Sequence, residues 1–361
     1  MMQTARHISI NGRFLGRPVS GVERYGRELL RAWDAQLVAR PSPLPVRVLM
    51  PRGVSPGLTL SAIWFETVGR LGGHAWEQSE LYAASRRDVL VGLANSGPLL
   101  HSRQLVAVHD AAVFRFPENY SLRYRTLHRG LSRGLARRAR LATVSEFSRE
   151  ELVTTLGVSR ESVLVAPNGS DHLGQVPPDD TLIERLGLRD TPFLLAVGTA
   201  SRNKNLGLVI AAWRRLNASA TRLVIAGPVN DRVFAQALDL DGVEGVLLPG
   251  RVNDAELAAL YSHAVAFVFP SRYEGFGIPP LEAIAHGCPV LASAIPPLRE
   301  VLSEGARFFD TEDADALAGL MREALATPRA LPVAARARLA RYRWADSAAT
   351  MHRAALTMAG V

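Results

Sequence analysis

Cysteine is almost absent from this 361-residue sequence, and Cys288 is the single example. One cysteine excludes any disulfide within the chain and fits a reducing compartment. Because Cys288 follows Gly287 at the start of an apolar segment, we interpret it as a small core residue and not as a nucleophile. The N-terminal residues lack the apolar core of a signal peptide, since Arg6, His7 and Asn11 interrupt it. We therefore expect a soluble, cytoplasmic protein.

Long apolar runs and the common nucleotide-binding signatures are also missing. No apolar run approaches the roughly 20 residues that a membrane-spanning helix needs. The absence of Gly-x-x-x-x-Gly-Lys-Ser/Thr argues against a P-loop NTPase, and no clear Gly-x-Gly-x-x-Gly opens a helix, as a dehydrogenase would require. Zinc-finger spacing and RNA-recognition signatures are missing too, so we expect no nucleic-acid partner. Asp239 and Asp241 have Asp-x-Asp spacing, but no strand leads into them, and we expect no metal site there.

Acidic residues are missing from residues 121–140, although the chain as a whole carries a formal charge of +8. Leucines recur every fourth residue in this segment, and so do arginines, which places the two rows on nearly opposite faces of one helix. One interpretation is a helix packed by its leucines with a solvated arginine face. The other is an arginine face that contacts anionic lipid headgroups. The two rows are Leu127, Leu131 and Leu135, and Arg125, Arg129, Arg133 and Arg137.

Apolar, β-prone segments alternate with helical patterns along the chain, which predicts an α/β fold with mostly parallel sheets covered by helices on both faces. The length exceeds one ordinary core and suits two domains. Turn-forming residues between Pro167 and Pro178 indicate the junction. We predict an N-terminal domain over residues 1–172 and a second domain over 173–340. Residues 341–361 are expected to form a C-terminal helix that crosses back to the first domain.

The segment SRYEGFGIPPLEAIAHGCPV, residues 271–290, is the most informative part of the chain. A buried strand is predicted over 265–269, and a glycine turn follows it. Pro279 and Pro280 suit a helix entry, the helix itself is expected over 281–286, and Gly287 ends it. Such a turn directs backbone N–H groups and a positive helix end at one point, which favours an anionic ligand.

Charged and polar side chains accompany this turn and two other strand ends. Glu274 and Glu282 can accept hydrogen bonds from sugar or ribose hydroxyls. Lys204, in the sequence VGTASRNKNL after a predicted strand, offers a point charge for a diphosphate. His109 and Asp110 directly follow a predicted strand over 105–108, where open α/β sheets bind ligands. Together these residues predict a sugar-nucleotide site.

Residues 271–290 resemble the signature of retaining glycosyltransferases with the GT-B fold, most closely those of family four. The segments SGVERYGREL, VHD, TVSEFS and RNKN also resemble family segments and occur in the family's order. The resemblance implies two Rossmann-like domains facing a central cleft, with the donor nucleotide held mainly by the second domain. In the RNKN segment Lys204 aligns directly, whereas Asn203 stands where the family has arginine and Arg202 lies one residue earlier.

The resemblance also assigns roles to individual residues. Glu274 would lie beside the donor sugar, Glu282 would bind the ribose, and His109 would face the reacting sugar. Acceptor-side candidates are Arg13, in the glycine-rich loop after the first strand, and Asp110. The catalytic candidates are therefore His109, Glu274 and Lys204, and the donor-binding candidates are Gly21, Arg202, Lys204, Glu274, Gly275, Phe276, Gly277, Ile278 and Glu282.

The implied reaction is transfer of a hexosyl unit with retention of configuration, without metal or other cofactor. GDP-mannose is the expected donor because several segments most resemble those of bacterial polysaccharide mannosyltransferases, and a rhamnosyl or glucosyl donor is the alternative. The expected acceptor is a glycan or a lipid-linked glycan, which would place the protein at the inner face of the cytoplasmic membrane. Two other functions stay open: a GT-B sugar-nucleotide epimerase and a catalytically silent nucleotide-sugar-binding protein.

Overall fold

The computed structural model describes residues 5–199, 201–216, 220–227, 240–327 and 331–361. The chain divides into two compact units. One consists of Met1–Gly169 together with Arg343–Val361, and the other of Ser170–Tyr342. The C-terminal segment of the chain therefore belongs to the unit that also contains the N-terminal segment.

The first unit is built on a parallel sheet of seven strands in the order β3-β2-β1-β4-β5-β6-β7. From β1 the chain winds outward in one direction and then, from β4, in the other. Ligands of such sheets bind at the carboxyl ends of the strands where the winding reverses, which is here the β1–β4 boundary. The strands are β1 (Ile8–Asn11), β2 (Val46–Met50), β3 (Trp64–Thr67), β4 (Val89–Gly92), β5 (Gln104–Ala107), β6 (Arg140–Thr143) and β7 (Val163–Val165).

Helices connect these strands, and a π-helical turn, Glu77–Leu81, joins two of them. The helix Trp344–Ala359 packs on the first of these helices, where the Gln36 side chain donates a hydrogen bond to the Ala345 carbonyl at 2.5 Å. Gly169 makes room for it, because a Cβ there would lie 2.4 Å from the backbone nitrogen of Trp344. The connecting helices are α1 (Gly21–Ala39), α2 (Gly73–Trp76), α3 (Tyr82–Ser85), α4 (Ala112–Arg115), α5 (Leu122–Ala136) and α6 (Glu146–Leu156).

The second unit repeats the same winding in a parallel six-stranded sheet, β10-β9-β8-β11-β12-β13. Its winding reverses between β8 and β11, so the ligand-binding edge of this sheet lies there. The strands are β8 (Phe193–Val197), β9 (Arg222–Ala226), β10 (Val246–Gly250), β11 (Ala266–Phe269), β12 (Val290–Ser293) and β13 (Arg307–Phe309). The helices described in this unit are α7 (Thr181–Arg185), α8 (Leu206–Arg214), α9 (Asp254–His263), α10 (Ile278–Ala285), α11 (Pro296–Leu302), α12 (Ala314–Ala326) and α13 (Val333–Arg341). The last helix of the chain, α14 (Trp344–Ala359), belongs to the first unit.

The predicted α/β architecture with two Rossmann-like parallel sheets is confirmed, and individual boundaries differ in two informative places. Helix α10 begins at Ile278, so that Pro279 and Pro280 lie inside its first turn. The spacing of Ser148 and Glu151 predicts that Ser148 caps α6, and this prediction is wrong: Ser145 caps the helix by accepting from the Ser148 N–H at 3.0 Å, and Ser148 lies one turn inside. The same spacing at Asn253 and Glu256 predicts a capping box for α9, which the structure confirms.

The arginine-rich segment forms helix α5. Its leucine row is not wholly buried, and its arginine row is not wholly exposed to solvent. Leu131 and Leu135 are buried, whereas Leu127 is 49% exposed. Arg129 donates to the carbonyls of Val113 and Phe114 at 3.0 and 3.3 Å, so it serves packing more than solvent contact. Among the residues that the structure describes, no helix combines the length and apolar character needed to cross a bilayer.

Candidate functional site

Two predicted site residues meet at the ligand-binding edge of the second sheet. Lys204 follows β8 in the short 3-10 turn Arg202–Lys204, and Glu274 follows the neighbouring strand β11. Their side chains form an ion pair with 2.6 Å between Nζ and Oε1, and they are 26% and 15% exposed. The Lys204 ammonium group also lies 5.6 Å from the centre of the Phe269 ring. A cation and a carboxylate thus stand side by side where this fold binds ligands.

Asn205 holds the Lys204 turn in place. It adopts the left-handed conformation with φ 53°, which asparagine tolerates better than most residues. Its buried amide group donates to the carbonyls of Pro270 and Thr311 at 3.2 and 2.9 Å. Because these carbonyls follow β11 and β13, the amide ties the turn after β8 to two other strand ends. The position of Lys204 is therefore set by the sheet.

The glycine turn after Glu274 is shaped by close packing. Gly277 has φ 91°, and a Cβ there would lie 2.5 Å from Cδ2 of Leu298. The buried ring of Phe276 meets the Tyr342 ring edge-on at 5.1 Å. Since Pro279 and Pro280 carry no N–H group, the first helical residue, Ile278, supplies the N–H that this helix end can offer to an anion.

Glu282 lies in α10 and is oriented by its neighbour α9, because the buried Tyr261 hydroxyl donates to its Oε2 at 3.2 Å. This leaves the second predicted carboxylate half-buried and supported from one side. Arg202 shares the turn of Lys204 but is exposed. Cys288 is fully buried with its thiol 3.7 Å from the Ala264 carbonyl, in agreement with a core residue.

His109 is the predicted site residue at the carboxyl end of β5 in the first unit. Its Nε2 lies 2.9 Å from the Leu93 carbonyl, and because a carbonyl only accepts, this nitrogen carries the hydrogen. The Tyr25 ring meets the imidazole edge-on at 4.6 Å, and the Asn95 side chain accepts from the His109 backbone N–H at 2.8 Å. Burial lowers the pKa of His109, so the ring is neutral near pH 7 and Nδ1 is its basic nitrogen.

Arg13 belongs to a buried network that the sequence did not reveal. Its Nε lies 3.0 Å from Oε1 of Glu77, and the same carboxylate accepts from Asn11 at 2.7 Å, Ser96 at 2.6 Å and His74 at 2.8 Å. Burial alone would raise the pKa of Glu77, but the His74 hydrogen bond, the Arg13 charge and the other two hydrogen bonds outweigh it and lower the pKa. Glu77 is therefore a buried anion that joins the ends of β1 and β4.

Asp110 and Gly21 take up less constrained positions. The Asp110 carboxylate accepts from the Ala112 N–H at 2.8 Å and so begins the turn into α4. Gly21 is the first residue of α1, and a Cβ there would have nothing within 4 Å, so packing does not require glycine at this position. The roles predicted for both residues stay predictions.

Asn11 was missed by the sequence analysis, although a signal for it existed. It is a polar residue at the end of β1, and His109 was predicted because it follows the end of β5. Glu77 and Ser96 gave no comparable signal, since neither lies in a recognisable motif. In the described ranges, no group of three or more His, Cys, Asp or Glu side chains is placed to hold a metal ion. Asp239 lies outside the described residues, so the Asp239–Asp241 pair cannot be placed.

Comparison with known proteins places this site in a family context. The profile described as "Glycosyl transferases group 1" matches residues 179–343. The chain contains a group 1 glycosyltransferase domain. This domain includes Lys204, Glu274 and Glu282, so the ion pair and its supporting carboxylate all lie within the matched segment.

Two relatives are named O-antigen chain mannosyltransferases. O-antigen chain mannosyltransferase B of Escherichia coli is 29% identical over 233 residues, which cover 62% of this chain and 61% of that protein. O-antigen chain mannosyltransferase RfbU of Salmonella typhimurium is 30% identical over 223 residues, covering 60% and 59%. The chain thus spans about three fifths of the length of each of these relatives.

Solved structures agree with the fold over nearly the whole chain. Sucrose-phosphate synthase from Thermosynechococcus elongatus has a TM-score of 0.72 at 19% identity and covers 98% of this chain and 99% of its own. Anabaena HepE, in complex with UDP and glucose, has a TM-score of 0.71 at 15% identity and covers 98% and 100%. These similarities confirm the GT-B fold predicted from the sequence.

Proposed function

We propose that this protein is a retaining, metal-independent glycosyltransferase that moves a mannosyl unit from GDP-mannose to a hydroxyl of a glycan or lipid-linked glycan. The ion pair of Lys204 and Glu274 at the β8–β11 edge of a group 1 domain is the observation that carries this proposal. In this proposal the cation serves the departing diphosphate and the carboxylate serves the donor sugar.

In this proposal Lys204 stabilises the charge that develops on the diphosphate as the glycosidic bond breaks, which is the largest contribution that a fixed cation can make. Arg202, which is exposed in the same turn, and the Ile278 N–H group also donate hydrogen bonds to the diphosphate. Glu274 accepts from sugar hydroxyls and Glu282 from the ribose. The acceptor hydroxyl attacks on the face from which the diphosphate leaves, and a diphosphate oxygen takes its proton.

His109 is assigned to the reacting sugar in the first unit. Because its Nε2 hydrogen is directed to the Leu93 carbonyl, the neutral ring offers Nδ1 as an acceptor for a sugar hydroxyl. The two relatives named O-antigen chain mannosyltransferases support mannose as the transferred sugar. Their names also support a growing polysaccharide as the acceptor.

The decisive experiment follows GDP-mannose labelled in the sugar, with and without a polysaccharide acceptor and in the presence of EDTA. We expect labelled glycan and free GDP only when acceptor is present, an α-linked product, and activity that survives chelation, because protein cations hold the leaving group. Free nucleotide together with an altered sugar, formed without acceptor, would instead identify an epimerase. GDP-mannose binding without turnover would identify a silent binding protein, and loss of activity in EDTA that manganese restores would overturn the metal-free mechanism.

A membrane contact through α5 would bring the enzyme to a lipid-linked acceptor at the inner face of the cytoplasmic membrane. Of the arginine row predicted for this contact, Arg125 and Arg129 are half-buried, whereas Arg133 and Arg137 are exposed. Arg123 and Leu127 are also exposed and lie beside them on the helix surface. We therefore assign the contact to these exposed residues and an anionic lipid surface, since basic side chains around an apolar one favour the interface.

Vesicle sedimentation tests this contact. The chain should bind phosphatidylglycerol-containing vesicles at low salt and detach as salt rises, and changing Arg123, Arg133 and Arg137 to Gln should weaken binding roughly 100-fold, at roughly 1 kcal/mol per cation. A control with the same change of charge replaces three exposed arginines elsewhere in the first unit, Arg40, Arg52 and Arg86. Equal loss in both variants would show that net charge alone attracts the protein, and α5 would not be the contact.

A further inference from the structure

Three aromatic rings form a stacked column along the start of α5. The Tyr120 and Tyr124 rings are 5.2 Å apart and nearly parallel at 9°, and the Tyr124 and His128 rings are 4.0 Å apart at 28°. Tyr124 and His128 lie one helical turn apart in α5, and Tyr120 precedes the capping residue Ser121 in extended conformation. His128 in turn meets the edge of the His74 ring at 5.6 Å. We call Tyr120, Tyr124 and His128 the aromatic column.

The aromatic column rests on the buried network below it. His74 donates from Nδ1 to the Glu77 carboxylate at 2.8 Å, and Glu77 is fully buried. Because each ring is held by its neighbour, the tyrosines have few alternative rotamers to lose when a ligand binds. Stacking also covers ring faces, so a ligand would meet the edges of the rings. Tyr124 is 46% exposed, which leaves it accessible.

The column stands at the ligand-binding edge of the first sheet. Arg13 follows β1, Ser96 follows β4 and Asp110 follows β5, so all three come from the carboxyl ends of adjacent strands. The Arg13 guanidinium group donates to the Ser96 hydroxyl at 2.9 Å. Burial, with the nearby Asp110 carboxylate, raises the pKa of Tyr120 to about 12, so its hydroxyl keeps its hydrogen at neutral pH.

The charged groups around Tyr124 include no excess of cations, and this limits the kind of ligand that could bind there. Burial raises the pKa of Tyr124, and the charges that act on it are those of Arg17, Asp110, Arg13 and Glu23. Arg13 is paired with the Glu77 carboxylate at 3.0 Å, and Arg17 lies 3.7 Å from that of Glu23. A phosphate or carboxylate ligand would need an excess of cations. A site without an excess of cations but with phenol hydroxyl groups suits a neutral ligand that both donates and accepts hydrogen bonds.

We propose that Tyr120, Tyr124, Asp110 and Arg13 form a binding subsite for a neutral sugar residue of the acceptor glycan. This inference rests on the proposed transferase function and adds the class of ligand and two tyrosines as its specificity-determining residues. The aromatic column and Glu77 act as supports that hold these groups in place.

Saturation-transfer NMR with methyl α-D-mannopyranoside on the full chain tests the subsite. The double variant Tyr120→Phe/Tyr124→Phe keeps the stacked rings and removes only the hydroxyls, so folding should be unaffected. We expect its affinity for the glycoside to fall about tenfold, the scale of two neutral hydrogen bonds, with GDP affinity unchanged. Tyr82→Phe removes a hydroxyl from α3 and serves as the matched control, with no expected change.

Several outcomes would overturn the subsite. Equal glycoside affinity in the double variant and the wild type would remove the tyrosines from it. A wild type that binds GDP but gives no glycoside signal, or whose glycoside signal is displaced by low concentrations of inorganic phosphate, would contradict a neutral-sugar subsite. Each of these results leaves the transferase proposal intact. Absence of GDP-mannose turnover with every acceptor would instead defeat the transferase proposal, and glycoside binding lost in the double variant would still support a sugar subsite.

Discussion

Replacing Lys204 by alanine is expected to lower turnover of the nucleotide sugar by at least about a hundredfold. The lost ammonium group is the cation assigned to the departing diphosphate, and loss of one electrostatic contact to developing charge has this scale. The change also leaves the Glu274 carboxylate, 2.6 Å from Lys204 Nζ, without this partner. Steady-state kinetics should show the loss mainly in kcat, because the charge develops in the transition state.

The matched control for Lys204 is Arg189→Ala, which removes a cation from another ion pair of the same unit. Arg189 pairs with Glu184 at 2.6 Å, and both side chains are well exposed, so turnover should not change. Thermal unfolding of both variants shows whether lower turnover comes from loss of the Lys204 charge or from loss of the folded structure. A folded Lys204→Ala protein with normal kcat would remove Lys204 from the diphosphate site.

Replacing Gly277 by alanine should destabilise the second unit by about 2–5 kcal/mol. A left-handed residue with a side chain costs roughly 1–2 kcal/mol, and overpacking a core costs roughly 1–3 kcal/mol more. The added methyl group would lie 2.5 Å from Cδ2 of Leu298, which is fully buried and has little room to move. Because Gly277 also precedes Ile278 at the start of α10, any shift that relieves the clash should weaken GDP binding.

Urea unfolding and GDP titration measure the two consequences. Gly187→Ala is the control, since Gly187 has φ 66° but a Cβ there would have nothing within 4 Å. It should cost only the roughly 1–2 kcal/mol of the left-handed conformation and leave GDP affinity unchanged. If the two variants are equally stable, the contact with Leu298 is not what requires glycine at position 277.

Local sequence patterns were sufficient for some strands of the two sheets but not for others. The continuous apolar run over residues 193–197 predicts a strand buried on both faces, and the structure has this strand at Phe193–Val197. The edge strand Trp64–Thr67 was missed, since it is partly exposed and mixes polar and aromatic residues. Arg307–Phe309 was missed because three residues are too few to establish a period.

The capping residue of α6 shows where local pattern becomes ambiguous. Ser145 and Ser148 both precede helix-forming residues, and Ser148 has the more familiar spacing to a glutamate. The structure selects Ser145 because β6 ends at Thr143 and the chain enters the helix at Glu146. Ser148 then turns inward and donates to the His109 carbonyl at 3.1 Å, a contact that depends on β5 lying beside β6.

The sequence by itself determined the α/β class, the glycosyltransferase signature and the identity of Lys204, Glu274 and Glu282 as candidates, because each of these depends on residues close together in the chain. Only the tertiary structure decided that Lys204 contacts Glu274, since this requires β8 to lie beside β11 in the sheet. Burial of the Glu77 carboxylate beneath Arg13 was decided in the same way. Strand order is set by packing between distant segments, and spacing along the chain does not encode it.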